Sequence, residues 1–241
     1  MASFDFSRRA TMPELMDTER CDFATFQGCL QDLARVNRLT LAYRPTLGFL
    51  DGLAASGRVP RERPLRILDV ASGHGDMLRQ ILAWAERRQV AVDLVGLDLN
   101  PWSARAAREA TPAAAPVAWH TGDVFAYRPE RGFDLVVSSL FTHHLDDASV
   151  VRFLQWLEEQ AAIGWFVNDL HRHSLPCRFF AAASRALRLH HFVQNDGPIS
   201  IARSFVTEDW RRLLDRAGLP AGSASIAWWM PFRLCVARVK P

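Results

Sequence analysis

Lysine is almost absent from this chain. Of its 29 basic residues only Lys240 is a lysine, and the formal net charge is +3. The arginines are spread along all 241 residues instead of being clustered in one stretch. Proteins that bind nucleic acid usually carry a concentrated basic patch or stripe, so the sequence predicts no nucleic-acid partner.

Cysteine pairs and long apolar runs are missing as well. No C-x-x-C spacing occurs among the four cysteines, so small buried apolar residues are expected at Cys21, Cys29, Cys177 and Cys235. No apolar run approaches the roughly 20 residues of a membrane span, and residues 1–9 lack the apolar segment of a signal peptide. We therefore expect a cytoplasmic protein without a membrane partner.

The residues that are present follow two different periodicities. Residues 13–55 place apolar side chains at three- and four-residue steps, which is typical of helices, and a polar, proline-bounded linker follows at 58–64. From residue 65 onward, short apolar strands alternate with helical stretches. This change predicts an N-terminal helical cap over residues 1–57 and a single domain over residues 58–241.

The alternation of strands and helices predicts an α/β fold with a Rossmann-like, doubly wound sheet of seven strands. Right-handed crossovers make the successive strands of such a sheet parallel. Residues 223–239 contain two apolar segments joined by a short turn, and strands connected in this way must be antiparallel. We therefore expect an antiparallel last strand.

A glycine loop follows the first predicted strand, in the stretch Asp69-Val70-Ala71-Ser72-Gly73-His74-Gly75. Glycines let the backbone approach a ligand closely, and the helix that follows attracts negative charge at its N-terminus. The G-x-G-x-x-G pattern of dinucleotide-binding proteins is not met, because position 71 is alanine and position 78 is leucine. The loop alone is compatible with many nucleotide cofactors.

Acidic residues follow the second and third predicted strands. Asp98 ends the second strand, where a carboxylate can accept hydrogen bonds from both hydroxyl groups of an adenosine ribose. Asp123 lies just after the third strand, where it can accept a hydrogen bond from the adenine amino group. Val124 or Phe125 can then cover the face of the adenine ring. The fourth strand, 133–139, is buried in character and leads toward His143 and His144.

Taken in this order and spacing, the four features resemble class I S-adenosylmethionine-dependent methyltransferases over residues 65–240. The resemblance implies S-adenosylmethionine as cofactor, with Asp69 reaching toward its methionine amine and Asp98 binding its ribose. Ala71 stands where the commonest form of the motif has glycine. The cofactor-binding residues implied by the resemblance are Asp69, Ala71, Gly73, Gly75, Asp98, Leu99, Asp123, Val124 and Ser139.

Candidate catalytic residues follow the fourth and fifth strands, because ligands bind at the carboxyl ends of strands in open α/β sheets. His144 or His143 is predicted to be the base that removes a proton from the methyl acceptor. Asp169 and His171 form a second candidate, an acid–imidazole pair. No metal is expected, because Ser138-Ser139 replaces the acidic ligand that magnesium-dependent catechol methyltransferases carry after strand four.

The acceptor is predicted from a narrower resemblance. The stretches 13–17, 36–39 and 167–176 look similar to a bacterial subgroup that often accompanies polyketide-type biosynthesis. This similarity predicts O-methylation of a small aromatic or polyketide-like molecule. Two alternatives stay open, a nicotinamide-dependent oxidoreductase and a cofactor-binding partner subunit without catalysis, and a homodimer also stays open.

Overall fold

The structure is a computed structural model that describes residues 4–241. The first three residues of the predicted cap lie outside this range. The helices are α1 (Leu15–Thr18), α2 (Phe23–Leu39), α3 (Arg44–Ala55), α4 (Asp76–Arg88), α5 (Pro101–Glu109), α6 (Asp147–Gln160), α7 (Ser174–Ala186), α8 (His191–Arg203) and α9 (Thr207–Arg216). The strands are β1 (Leu65–Val70), β2 (Val92–Asp98), β3 (Val117–Thr121), β4 (Phe133–Ser139), β5 (Ala161–Leu170), β6 (Ala224–Trp229) and β7 (Arg233–Val239).

The seven strands form one sheet in the order β3-β2-β1-β4-β5-β7-β6. The first five strands are parallel to one another, and β7 runs antiparallel to both β5 and β6. The predicted α/β class, the seven strands and the antiparallel last strand are therefore confirmed. The strand order reverses at β1 and β4, where an open sheet offers a crevice for a ligand.

Apolar layers cover both faces of the sheet. One layer packs α6 and α9 against the sheet through residues such as Phe153 and Trp210, and the other packs α3 and α4 through Leu50 and Ile81. The central strand β4 is buried on both faces, which explains its almost continuous apolar sequence. No helix within residues 4–241 combines the length and the apolar character needed to cross a bilayer.

One helix was not predicted from the sequence. The sequence patterns assign no element to residues 190–206, but α8 occupies most of this stretch and buries Phe192 and Ile199. Pro198 lies inside the helix, and the adjacent Gly197 packs directly on Phe180 of α7. A glycine and a proline side by side normally indicate a break, and here tertiary packing overrides that preference.

Candidate active site

A cavity of about 930 Å³ opens at the carboxyl ends of the central strands. Helix α2 lines this cavity with apolar side chains that include Phe26 and Leu30. The predicted residues that line it are Asp69, Ala71, Gly73, Asp98, Leu99, Asp123, Val124, Ser139, His143 and His144. The structure thus brings most of the predicted cofactor and acceptor residues together in a single space.

The loop between β1 and α4 has an unusual backbone that glycine favours. Ala71, Gly73 and Gly75 all have left-handed conformations, with φ of +58°, +49° and +72°. Ala71 pays a steric penalty there, which is the physical reason that glycine suits this position better. Gly75 does not line the cavity, and a side chain at this position would meet the Trp119 ring at 2.3 Å. Its role is to let the loop lie tightly against β3.

Asp98 holds the loop and faces the cavity at once. One carboxylate oxygen accepts a hydrogen bond from the Gly73 amide at 2.8 Å, and the other accepts one from the Asn100 amide at 2.9 Å. Burial raises the pKa of Asp98, although the two amides and Ser103 oppose this shift. These three groups do not use all four lone pairs of the carboxylate, so it can still accept a hydrogen bond from a ligand.

Asp69 is the most isolated acid of the site. Its side chain is 2% exposed, and the Oδ1 atom has no hydrogen-bond partner. Complete burial, together with the nearby charges of Asp76 and Asp98, raises the pKa of Asp69 well above its ordinary value. A buried acid without a partner costs free energy, and a cationic ligand group in the cavity would supply what it lacks.

The remaining predicted cofactor residues form an apolar slot with a polar rim. Val124 is buried, whereas the neighbouring Leu99 is 73% exposed. Asp123 is exposed, and its Oδ1 accepts a hydrogen bond from the Phe125 amide at 3.0 Å. Ser139 lies across the cavity at the end of β4. Apolar and polar groups thus alternate in this part of the cavity lining, as is usual in sites for small ligands.

At the other end of the cavity, Asp169 is paired with His143. The His143 Nδ1 and the Asp169 Oδ1 are 2.7 Å apart, and Asp169 Oδ2 also accepts hydrogen bonds from the His143 amide and the Thr142 hydroxyl. Complete burial acts to raise the pKa of Asp169, but His143 and these hydrogen bonds hold it well below its ordinary value. The ionised carboxylate keeps the proton on Nδ1 and leaves Nε2 free to act as an acceptor.

The predicted pairing of Asp169 with His171 is therefore wrong. Alternation along an extended strand places both residues on one face, but β5 ends at Leu170. His171 lies just beyond that end, where its amide donates to the Phe232 carbonyl, and its ring does not line the cavity. Asp169 itself stands behind His143 and does not line the cavity either.

His144 is bound to the short helix α1. Its Nδ1 lies 3.0 Å from Asp17 Oδ2, and its Nε2 lies 3.9 Å from Glu14 Oε2. Burial would lower the pKa of His144, but the Asp17 hydrogen bond and the Glu14 charge raise it overall. Arg203 donates hydrogen bonds to the backbone carbonyls of both His143 and His144 and fixes this turn.

Two buried charged residues of the cavity were missed by the sequence analysis. Glu14 is 5% exposed, and its Oε1 has no hydrogen-bond partner. Arg233 is 3% exposed, its Nη1 is also unpartnered, and it is the only arginine among the described residues that line the cavity. Glu14 lies in the stretch 13–17 that resembles the bacterial subgroup, but no role was predicted for it, and Arg233 stands in no recognisable motif. Both residues reach the site only through the folding of distant segments.

Residues 67–160 match the family model described as "Methyltransferase domain". This match covers β1 through α6, including the glycine loop, Asp98, Asp123 and both histidines. The match spans less than half of the chain, and together with the sheet order it agrees with the predicted resemblance to class I methyltransferases, whose cofactor is S-adenosylmethionine. No curated protein matches the chain in sequence.

Solved structures share the fold at low sequence identity. A putative O-methyltransferase from Nostoc punctiforme is 17% identical with a TM-score of 0.58, and the match covers 88% of this chain and 60% of that one. The methyltransferase domain of the citrinin polyketide synthase is 16% identical with a TM-score of 0.59, covering 83% and 52%. The plantazolicin methyltransferase BpumL, solved with S-adenosylhomocysteine, is 12% identical with a TM-score of 0.61, covering 90% and 96%. The chain thus spans less than two thirds of the first two proteins.

Proposed function

We propose that this protein transfers a methyl group from S-adenosylmethionine to an oxygen of a small aromatic or polyketide-like molecule. The observation that carries the proposal is that the predicted cofactor-binding acids and a histidine suited to act as a base line the same cavity. Asp69 and Asp98 stand beside the glycine loop, and His143, backed by Asp169, lines the same cavity. A methyl donor and an acceptor could therefore meet inside the protein.

The cofactor end of the cavity fits S-adenosylmethionine because several of its polar groups still lack hydrogen-bond partners. When bound, this cofactor supplies a methyl group on a positively charged sulfur. The orphaned Oδ1 of Asp69 is suited to an ammonium group, and the free lone pairs of Asp98 are suited to ribose hydroxyls. Asp123, Val124 and Leu99 would hold the adenine, as the sequence analysis predicted. Arg233 offers an unpaired guanidinium for a carboxylate.

The acceptor end is suited to a hydroxyl group that must lose its proton. His143 Nε2 belongs to an imidazole that is oriented by an ionised Asp169, an arrangement that stabilises the ring when it takes up a proton. His144 is the less favourable base, because its bond to Asp17 keeps it protonated at higher pH than an ordinary histidine. Most of the rate should still come from alignment of the acceptor with the methyl group.

The size and lining of the cavity favour a small aromatic acceptor. About 930 Å³ lies at the upper end of the usual range for ligand pockets, enough for a cofactor and a second molecule. Apolar side chains of α2, α7 and α8 line this cavity, including Phe26, Leu33, Phe179, Phe180 and Ile201. The O-methyltransferase and polyketide-synthase matches support this acceptor class, while BpumL shows that the fold also serves other substrates.

The test is a screen of small phenols and phenolic polyketides with S-adenosylmethionine that carries a labelled methyl group. We expect label on an oxygen of at least one acceptor. His143→Ala should lower turnover about 10²–10⁴-fold, as the loss of a general base does, with unchanged affinity for S-adenosylhomocysteine. His144→Ala should cost less. A wild-type rate for His143→Ala would remove it from this role.

The alternatives predict different results in the same experiments. A nicotinamide oxidoreductase would bind NAD(H) instead of S-adenosylhomocysteine. A partner subunit without catalysis would bind the cofactor, label no acceptor and co-purify with another chain. We further propose that residues 1–57 act as the cap over the domain at 58–241. A cytoplasmic location and a homodimer stay predictions.

A further inference from the structure

The geometry points to a divalent transition-metal site at the acceptor end of the cavity, formed by Glu14, His143 and His144. One ligand atom from each of these residues lies within 4.8 Å of the others. The three residues come from distant parts of the chain, α1 and the turn after β4, and all line the same cavity. We infer that they hold a cation such as Zn²⁺, with the remaining coordination position open to the acceptor oxygen.

The distances between the ligand atoms suit a tetrahedral ion. Glu14 Oε1 lies 3.7 Å from His143 Nε2, and Glu14 Oε2 lies 3.9 Å from His144 Nε2. Two ligands that are each about 2.0–2.2 Å from a tetrahedral metal stand roughly 3.3–3.6 Å apart. These separations are too long for hydrogen bonds, and all three ligand atoms lie within 4.8 Å of one another, so a contraction of up to about 1 Å by side-chain rotation would close them around an ion.

Both histidines are already oriented as metal ligands usually are. His143 Nδ1 is bonded to Asp169 at 2.7 Å, and His144 Nδ1 is bonded to Asp17 at 3.0 Å. A carboxylate on one ring nitrogen fixes the tautomer that leaves the other nitrogen available to a metal. In each ring the free Nε2 is turned toward Glu14, so both acid–imidazole pairs converge on one carboxylate.

Glu14 supplies the independent sign that something is missing from the cluster. Glu14 is only 5% exposed, and its Oε1 atom has no hydrogen-bond partner. Arg203 is the nearest guanidinium, but its Nη1 stays 3.7 Å from that oxygen. A buried carboxylate in this state calls for a ligand, and a cation is the ligand that two facing imidazole nitrogens can share with it.

The charge around the cluster is compatible with a divalent ion. Glu14, Asp17 and Asp169 place three carboxylates at the cluster, Arg203 contacts the first two, and Arg9 and Arg233 act on Asp169 from farther away. Two imidazoles with one carboxylate also form the ligand set of many catalytic zinc sites, which keep a fourth position open. Oxygen-seeking ions such as Mg²⁺ would be held less well.

The inference keeps the proposed transfer to an acceptor hydroxyl and rests on it for the role of the ion, but in the metal-loaded protein it replaces the general-base role of His143. A cation at this position would bind the acceptor hydroxyl and lower the cost of losing its proton, which passes to solvent. The Nε2 atom of His143 would then be a ligand instead of a free base. Metal binding itself can be measured without any methyl transfer, so the two ideas can fail separately.

The direct test is titration calorimetry of the chelator-treated full chain with Zn²⁺. We expect one saturable site, and Glu14→Gln or His144→Ala should weaken it by at least about 100-fold. Asp17→Asn removes only the outer carboxylate and should weaken it about 10–100-fold. His191→Ala is the matched control, since His191 also belongs to an adjacent histidine pair but is exposed on α8, and it should change nothing.

Co²⁺ gives a second readout that a merely structural change would not produce. Tetrahedral coordination by nitrogen and oxygen should give visible absorption bands in the wild type that His144→Ala loses. Unchanged affinity for S-adenosylhomocysteine in each variant shows that the fold and the cofactor end are intact. Equal Zn²⁺ affinity of the wild type and Glu14→Gln, or no saturable binding at all, would overturn the site. Zn²⁺ binding without label transfer to any acceptor would instead count against the proposed function.

Discussion

Asp98→Ala is the substitution that probes the cofactor end most selectively. The carboxylate faces the cavity, and its bonds to the Gly73 and Asn100 amides and to the Ser103 side chain leave lone-pair capacity for a ligand. Two ribose hydroxyls bonded to a charged group contribute about 1.5–3 kcal/mol each, or about 3–6 kcal/mol together. This loss corresponds to a decrease in affinity of about 10²–10⁴-fold.

The fold should survive this change. The two amides released by Asp98→Ala border the cavity, where water can replace the carboxylate, and a buried charge is removed at the same time. The assay is titration calorimetry with S-adenosylhomocysteine, accompanied by a thermal melt. Asp93→Ala is the matched control, because Asp93 lies near the opposite end of the same strand. Affinity of Asp98→Ala within about threefold of the wild type would refute the ribose role.

Three further predictions concern the cavity and the glycine loop beside it. Because the pKa of Asp69 is raised in the free protein, a bound ammonium should expel its proton, so affinity for S-adenosylhomocysteine should rise with pH until Asp69 is ionised. Asp69→Asn should abolish that rise and also raise the melting temperature of the free protein at pH 7; an unchanged pH profile would exclude the role. Gly75→Ala adds left-handed strain and a clash with Trp119, so chemical denaturation should show a loss of about 2–5 kcal/mol in stability. Gly57 has a φ of +70° but open space around it, so Gly57→Ala should lose only about 1–2 kcal/mol of stability through backbone strain. Equal losses of stability in the two variants would contradict the packing argument. Arg233→Met should weaken S-adenosylhomocysteine about 10–100-fold and leave methylthioadenosine, which lacks the carboxylate, unaffected; equal effects on both would place the carboxylate elsewhere.

The sheet and the cofactor end could be predicted because their signals are local. Strands buried on both faces have almost continuous apolar sequences, and each functional acid follows its own strand directly, as Asp98 does. The antiparallel end of the sheet follows from the short connection between β6 and β7. Parallel strand order then brings these separate segments to one edge.

The acceptor end could not be predicted in the same way. Asp169 meets His143 across neighbouring strands, and sequence spacing offered the nearer His171 instead. Glu14 reaches the histidines from a four-residue helix that has no strong periodicity. Arg233 is brought to the cavity by the antiparallel pairing of β7 with β5. Such contacts depend on tertiary packing, which a single sequence does not encode in any short pattern.

The most direct measurement for the central claim is equilibrium binding of the full chain to S-adenosylhomocysteine and to NAD(H), compared under the same conditions. The structure predicts saturable binding of S-adenosylhomocysteine that Asp98→Ala weakens about 10²–10⁴-fold, with no measurable affinity for NAD(H). The missing third glycine after Gly75 and the orphaned Asp69 both favour this result. Affinity for NAD(H) together with none for S-adenosylhomocysteine would contradict the account.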